Sequence, residues 1–317
     1  MGSLEDITVT ISDSDAAGRI DLLSGSHGAS LRSLTAVGPS GDPFDVILGY
    51  QHKGEKMGGQ GDVLIPFPGR VALGRYTFEG TQHQMHINDK DGPNAIHGFL
   101  RELDWTEDGV TENEVSYTGI LDGSKVEGYP FHLKVRITYR VENMGMTCSY
   151  EIENTGETDA PVAAGFHPYF TAGDEWCDDS TLLLPMNSIL EFGDDLIPTG
   201  RMLGLDGSPY DYRVERPIGD TKINNCYCDP IRDADGRVRF TLASSKTGRK
   251  ITVWMDEAID YVVLYTGDVL PDQMKRRGLA IEPMTCGSDA FNHTEWGLVS
   301  LKPGETTKGQ WGVTVSL

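Results

Sequence analysis

The sequence predicts an all-β fold built from large antiparallel sheets. Three observations support this prediction: apolar and polar residues alternate in many segments, Asp-Gly pairs recur between these segments, and no segment keeps a helical period over about ten residues. An α/β fold would require helices between its strands. A large antiparallel sandwich therefore accounts best for the pattern.

The predicted strands have apolar residues at every second position, which is typical of a strand with one buried face. They are Ile7/Val9/Ile11, Leu133/Val135/Ile137/Tyr139, Cys148/Tyr150/Ile152, Val238/Phe240/Leu242 and Ile251/Val253/Met255. The run from Tyr261 to Tyr265 is continuously apolar. Such a run indicates a strand that is buried on both faces.

Asp-Gly pairs mark the predicted turns, because both residues tolerate the positive φ of tight hairpin connections. They occur at Asp91-Gly92, Asp108-Gly109, Asp122-Gly123, Asp206-Gly207 and Asp235-Gly236. The 38 glycines and 16 prolines are scattered along the chain and do not gather into a linker. We therefore expect one domain that covers residues 1–317, without internal repeats.

Composition excludes several classes of function. A net charge of -21 without a basic run would repel the phosphates of nucleic acid. No stretch approaches the roughly 18 apolar residues of a membrane helix, and the N-terminus lacks the features of a signal peptide. Five cysteines without repeated spacing fit a reducing compartment, and the single residue between Cys226 and Cys228 does not fit a zinc site. We expect a cytoplasmic protein that binds no nucleic acid, membrane or metal.

Four segments combine one ionisable side chain with stiff, turn-rich backbone. They are Pro66-Phe67-Pro68-Gly69-Arg70, Asn94-Ala95-Ile96-His97-Gly98, Gly165-Phe166-His167-Pro168-Tyr169-Phe170 and Ile281-Glu282-Pro283. His167 and Glu282 directly precede proline, which disfavours helical backbone and limits how far their side chains can move. This stiffness suits preorganised catalysis, although polar residues beside proline at strand ends also occur for structural reasons.

Together, and in this order, the four segments resemble the aldose 1-epimerase (galactose mutarotase) family. Its members carry an Asn-Arg pair after a proline-rich strand end, an Asn-Ala-x-His-Gly turn, a His-x-Tyr-Phe segment and a late Glu-Pro. The resemblance extends from about Val46 to Pro283. It implies a single β-supersandwich domain without metal or organic cofactor, with a sugar pocket on the concave face of a sheet. The implied enzyme interconverts the anomers of a free aldohexose such as glucose or galactose, and we expect a monomer or a homodimer.

The same resemblance assigns roles to four residues. Glu282 would remove the proton of the anomeric hydroxyl, and His167 would protonate the ring oxygen as the pyranose opens. Arg70 and His97 would hold sugar oxygens. The chemistry requires such a pair, because opening a hemiacetal moves one proton off O1 and another onto O5. With unperturbed pKa values, a histidine is partly protonated near neutrality while a glutamate is ionised.

Two positions depart from the family pattern. Gly69 stands where many members have Asn before the arginine. Asn224, three residues before Tyr227, stands where an aspartate that contacts the sugar is expected. Because an amide donates and accepts hydrogen bonds, we expect Asn224 to bind the sugar with an altered preference. Asp229 is a weaker substitute for the missing carboxylate.

Two other functions stay open at this point. A mutarotase for a phosphorylated or otherwise anionic sugar would need extra cations, and the one concentrated basic run is Lys275-Arg276-Arg277. A non-catalytic carbohydrate-binding protein on the same scaffold is favoured by the changes at Gly69 and Asn224. A glycosidase is less favoured, because it uses two carboxylates and only Glu282 stands in a suitable context.

Overall fold

The computed structural model describes residues 6–317, most of which belong to two large antiparallel sheets. The first sheet has ten strands. In spatial order they are β1 (Thr8–Asp15), β2 (Gly18–Gly25), β3 (Ser30–Val37), β4 (Pro43–Ile47), β14 (Tyr169–Phe170), β23 (Leu279–Met284), β22 (Tyr261–Tyr265), β19 (Asn224–Pro230), β16 (Met186–Phe192) and β17 (Pro198–Gly204).

The second sheet has nine strands. In spatial order they are β18 (Arg216–Pro217), β15 (Ser180–Leu183), β20 (Val238–Ser244), β21 (Lys250–Met255), β25 (Thr306–Ser316), β12 (Gly145–Asn154), β11 (Leu133–Glu142), β10 (Glu114–Leu121) and β9 (Thr106–Val110). The predicted strands coincide with β1, β11, β12, β20, β21 and β22, and the all-β prediction is confirmed.

The remaining elements are short. Three two-stranded sheets pair β5 (Arg70–Val71) with β8 (Ala95–Ile96), β6 (Arg75–Phe78) with β7 (Thr81–Gln84), and β13 (Ala160–Val162) with β24 (Val299–Leu301). Single 3-10 turns lie at Lys53–Glu55, Ala72–Gly74, Leu100–Glu102, Gly123–Lys125 and Cys177–Asp179. Among residues 6–317, no helix is long and apolar enough to span a membrane.

One large apolar core lies between the two sheets. The alternation in β11 turns Val135 and Ile137 into this core, while the residues between them are more exposed. From the facing sheet, Phe170 of β14 reaches Trp311 of β25, with ring centroids 6.4 Å apart. Burial of the inner faces of both sheets therefore supplies most of the hydrophobic stabilisation of the fold.

The ten-stranded sheet also buries part of its outer face. In β22 and β23, Leu264 and Ile281 belong to the shared core, whereas Val263 and Met284 belong to a second apolar cluster. A third cluster on the same outer face contains Ala280. Because side chains alternate along a strand, Glu282 lies between Ala280 and Met284 on the outer face.

Turns are present at Asp122-Gly123, Asp206-Gly207 and Asp235-Gly236. The expected positive φ occurs at two of them, with 72° at Gly207 and 80° at Gly236. The turn predicted at Asp108-Gly109 is wrong: Gly109 lies inside β9 and pairs with Ser116. Neither Gly92 nor Gly123 adopts positive φ. At Asp122-Gly123 the aspartate instead accepts a hydrogen bond from the backbone of Ser124, which is another way that aspartate stabilises a turn.

Candidate active site

The backbone N–H and the backbone carbonyl of His167 are both hydrogen-bonded to one neighbouring segment. Its N–H donates to the carbonyl of Asp62 at 3.1 Å, and its carbonyl accepts from the N–H of Gly61 at 3.0 Å. The imidazole stacks on Tyr169, with ring centroids 5.1 Å apart. A Cβ atom at Gly59 would lie 3.0 Å from the ring. The histidine is therefore enclosed by closely packed backbone and by an aromatic ring.

The structure brings His167 and Glu282 together on the outer face of the ten-stranded sheet. The distance from Nε2 of His167 to Oε1 of Glu282 is 3.4 Å, and their side chains are 7% and 4% exposed. Glu282 occupies the middle of β23, where strand pairing on both sides limits its movement. An imidazole and a carboxylate that are far apart in sequence thus form one buried pair.

Burial changes the charge state of this pair. Burial raises the pKa of Glu282 to about 8, and the positive charge of Arg70 opposes this shift only in part. Burial lowers the pKa of His167 to about 3, and the charges of Arg101 and Lys56 act in the same direction. At neutral pH the substrate-free pair therefore holds one proton, with Glu282 protonated and His167 neutral. This differs from the charges expected from unperturbed pKa values.

His97 lies beside the pair at the start of a left-handed turn, with φ of 64°. Its ring centroid is 5.5 Å from that of His167, at an angle of 83°. Burial of its ring, followed by the nearby positive groups, lowers its pKa well below the ordinary value. Its Nδ1 is buried without a hydrogen-bond partner among residues 6–317. A neutral histidine in this position can donate or accept a hydrogen bond.

Arg70 approaches the pair from β5. Its Nε donates to Oδ2 of Asp89 at 2.7 Å, and its backbone N–H donates to Oγ of Ser288 at 3.1 Å. The charge of Arg70 opposes the rise in the pKa of Glu282 and adds to the fall in the pKa of His97. The guanidinium is therefore electrostatically linked to both groups.

Asn224 lies at the margin of this cluster. It is exposed, opens β19 and pairs with Tyr265, which in turn pairs with Ala280 of β23. Its side chain shares the outer face with Glu282, at a Cα separation of roughly 12 Å from strand and residue spacings. Asp229 lies near the other end of β19 and is also exposed. The structure thus gathers four of the five predicted residues and leaves Asn224 further out.

Three neighbouring residues were not predicted from the sequence. Tyr169 stacks on His167. It belongs to the same His-Pro-Tyr-Phe segment as His167, so this segment could have indicated it. Tyr265 shares the outer face with Glu282, and only the pairing of β22 with β23 reveals this. Asp89 binds Arg70, and no motif in the sequence singles it out.

Comparison with known proteins gives consistent results. The family model described as aldose 1-epimerase matches residues 22–314. YihR, an uncharacterized protein of Escherichia coli (strain K12), is 30% identical over 268 residues, which cover 84% of this chain and 80% of YihR. Galactose mutarotase of Sus scrofa is 26% identical over 311 residues, which cover 90% of this chain and 88% of that protein.

A solved structure shares the fold over nearly the whole chain. The crystal structure of the GalM/aldose epimerase homologue from C. elegans matches with a TM-score of 0.86 at 20% sequence identity. The match covers 98% of this chain and 99% of that chain. The overall fold of this chain is thus one already known from experiment.

Proposed function

The chain belongs to the aldose 1-epimerase family, and we propose that it interconverts the α and β anomers of a free aldohexose such as glucose or galactose. The chain is therefore an isomerase that acts on carbohydrates. The observation that carries the choice of reaction is the buried pair of His167 and Glu282 at 3.4 Å. Anomer exchange needs one group that removes a proton from O1 and another that supplies a proton to O5.

The proposed reaction opens and closes the sugar ring. Glu282 takes the proton of the O1 hydroxyl, the bond between C1 and O5 breaks, and O5 takes a proton from His167. The product is the open-chain aldehyde. After rotation about the bond between C1 and C2, the same two protons return and the ring closes on the other face.

The protonation state of the pair without sugar matches one stage of the proposed reaction. Once the ring has opened, Glu282 carries a proton and His167 carries none. This is the charge state that burial favours in the absence of sugar. In the proposed direction, a proton must pass from Glu282 to His167 as the closed sugar binds. Burial of the pair thus favours the protonation state that is present together with the open-chain aldehyde.

Arg70 and His97 are proposed to hold sugar oxygens. An arginine presents several N–H donors and compensates negative charge that develops on oxygen during proton transfer. The neutral His97 donates to one hydroxyl or accepts from another. The ring centroid of His97 is 5.5 Å from that of His167, and the charge of Arg70 acts on Glu282, which supports a contact of both residues with the same sugar.

Polarimetry tests the proposal directly. The purified protein should speed the decay of optical rotation of fresh α-glucose or α-galactose. Glu282→Gln and His167→Asn should each slow this decay by about 10²- to 10⁴-fold, because each removes one member of the acid and base pair. The exposed His86 provides a control, and His86→Asn should keep the wild-type rate.

Two results would contradict the proposed reaction. One is a wild-type protein that accelerates anomer exchange of neither sugar. The other is an unchanged rate in both active-site variants. Saturable sugar binding by calorimetry without acceleration would instead favour a carbohydrate-binding protein, which is consistent with the exposed Asn224 where the family has an aspartate.

A further inference from the structure

We propose that Asp89 is a positioning residue that orients Arg70 and thereby sets the affinity of the site for sugar. The inference rests on the proposed function, in which Arg70 binds sugar oxygens. Nε of Arg70 donates to Oδ2 of Asp89 at 2.7 Å, and the side chain of Asp89 is only 2% exposed. The buried carboxylate therefore holds the guanidinium of Arg70 in one orientation.

The contact uses one particular donor of the guanidinium. A guanidinium is planar and carries five N–H donors in a fixed arrangement, so anchoring Nε fixes the directions of the terminal nitrogens. Among residues 6–317, the terminal nitrogens of Arg70 have no hydrogen-bond partner. Asp89 thus occupies the donor nearest the chain and leaves the terminal donors available for a ligand.

Asp89 is itself held in place by its neighbours. Its Oδ1 accepts from the N–H of Asp91 at 3.0 Å, and its Oδ2 accepts from the amide of Asn94 at 3.4 Å. The buried Asn94 also accepts from the N–H of Leu73 at 3.1 Å. Burial opposes ionisation of Asp89, but the hydrogen bonds and the charge of Arg70 outweigh it and lower the pKa of Asp89.

This network links two proposed sugar ligands through one short segment. Asn94 opens the Asn-Ala-Ile-His-Gly turn that carries His97, and it contacts the carboxylate that anchors Arg70. The same turn pairs with the strand of Arg70, because Ile96 lies opposite Arg70. The segment from Asn88 to His97 therefore sets the position of the Arg70 guanidinium as well as that of the His97 ring.

Steady-state polarimetry of single and double variants tests this role. Asp89→Ala should raise KM for the sugar by about 3- to 30-fold with a smaller change in kcat, because it misorients a binding group. Asp89→Asn should give an intermediate KM, since an amide oxygen can still accept from Nε. The double variant Asp89→Ala/Arg70→Ala should have the KM of Arg70→Ala alone, because Asp89 acts through Arg70.

A second arginine and aspartate pair supplies the matched control. Nε of Arg19 donates to Oδ2 of Asp21 at 2.9 Å on β2, which lies four strands from β23 in the ten-stranded sheet. Asp21→Ala removes the same kind of contact and should leave KM unchanged. Thermal melting identifies variants that fail to fold, and Asp89→Asn then decides the question if Asp89→Ala is unfolded.

The inference is overturned if both Asp89 variants keep the wild-type KM while Arg70→Ala raises it. It is also overturned if the effects of Asp89→Ala and Arg70→Ala add fully in the double variant. A wild-type KM in Arg70→Ala is a different result, because it removes the proposed sugar contact of Arg70 together with the inference that depends on it.

Discussion

At the scale of single residues, burial moves the pKa values of His167 and Glu282 in opposite directions. The pKa of His167 is lowered to about 3 and that of Glu282 is raised to about 8. Between these values the two residues together hold one proton, whichever of them carries it. An acid and a base are therefore present together over a wide pH range.

This arrangement predicts the pH dependence of the rate. After subtraction of the uncatalysed reaction, kcat/KM should be nearly constant from about pH 5 to pH 7, because the pair keeps its single proton. It should fall as pH rises through about 8, where Glu282 loses that proton. A rate that instead rises between pH 5 and pH 7 would show that one residue titrates near its ordinary pKa.

Glu282 also predicts a gain in stability when the site is altered. Its pKa rises from 4.5 to about 8 on folding, so the folded state binds more protons than the unfolded state between these values. Stability must then fall as pH increases across this window. Glu282→Gln should raise the melting temperature at pH 8, with little effect near pH 4.

The control for this prediction is Glu142→Gln, which changes an exposed glutamate of β11. It should not reproduce the increase at pH 8. A melting temperature of Glu282→Gln that is below the wild-type value at pH 8 would contradict burial of a protonated carboxyl at this position.

At the scale of elements, a close approach between two segments places β5. Gly69 adopts φ of 63°, and a Cβ atom there would lie 2.7 Å from Oγ of Ser288. Two hydrogen bonds hold the backbone of Arg70. Its N–H donates to Oγ of Ser288 at 3.1 Å, and its carbonyl accepts from the N–H of Asp289 at 2.7 Å. Glycine at this position therefore allows the two segments to touch.

A pair of alanine variants separates the two demands on Gly69. In Gly69→Ala the added methyl group both disfavours the left-handed backbone and clashes with Ser288. In Gly41→Ala it only disfavours positive φ, because nothing lies within 4 Å of the Cβ position. We expect Gly41→Ala to lose about 1–2 kcal/mol of unfolding free energy and Gly69→Ala to lose more. Urea denaturation measures both, and equal losses would contradict a tight contact at Ser288.

The sequence allowed prediction of elements whose signal is local. Alternation predicts strands such as β11, and the segments around His167 and Glu282 predict the pair that the structure brings into contact. Long-range pairing had no such signal. Gly109 became a strand residue because Ser116 lies opposite it, and the contact of Asp89 with Arg70 joins two separate segments. The pKa shifts depend on burial, which the sequence pattern does not reveal.

At the scale of the whole molecule, charge bears on which sugars the site accepts. The protein carries a net charge of -21. The basic run at Lys275-Arg276-Arg277 is largely neutralised, since Arg276 binds Asp178 and Asp268 at 2.6 and 2.9 Å. Arg70 is likewise paired with a carboxylate. The single domain, the cytoplasmic location and the monomeric or dimeric state stay predictions.

These charges predict a preference for neutral sugars. The kcat/KM for glucose 6-phosphate should be lower than that for glucose, and added salt should narrow the difference by screening repulsion. Parallel polarimetry at low and high ionic strength measures both effects. Faster turnover of the phosphorylated sugar at low salt would instead favour the mutarotase for anionic sugars.

The alternation of side chains in β23 restricts where the chain can gain or lose residues. Strands β14 and β22 fix the register of β23 from both sides, and inserting or deleting one residue before Glu282 would turn its carboxyl toward the core, where Ile281 now packs. Loops at the sheet ends can gain or lose residues without this inversion. Natural or engineered indels that preserve turnover should therefore fall outside β23.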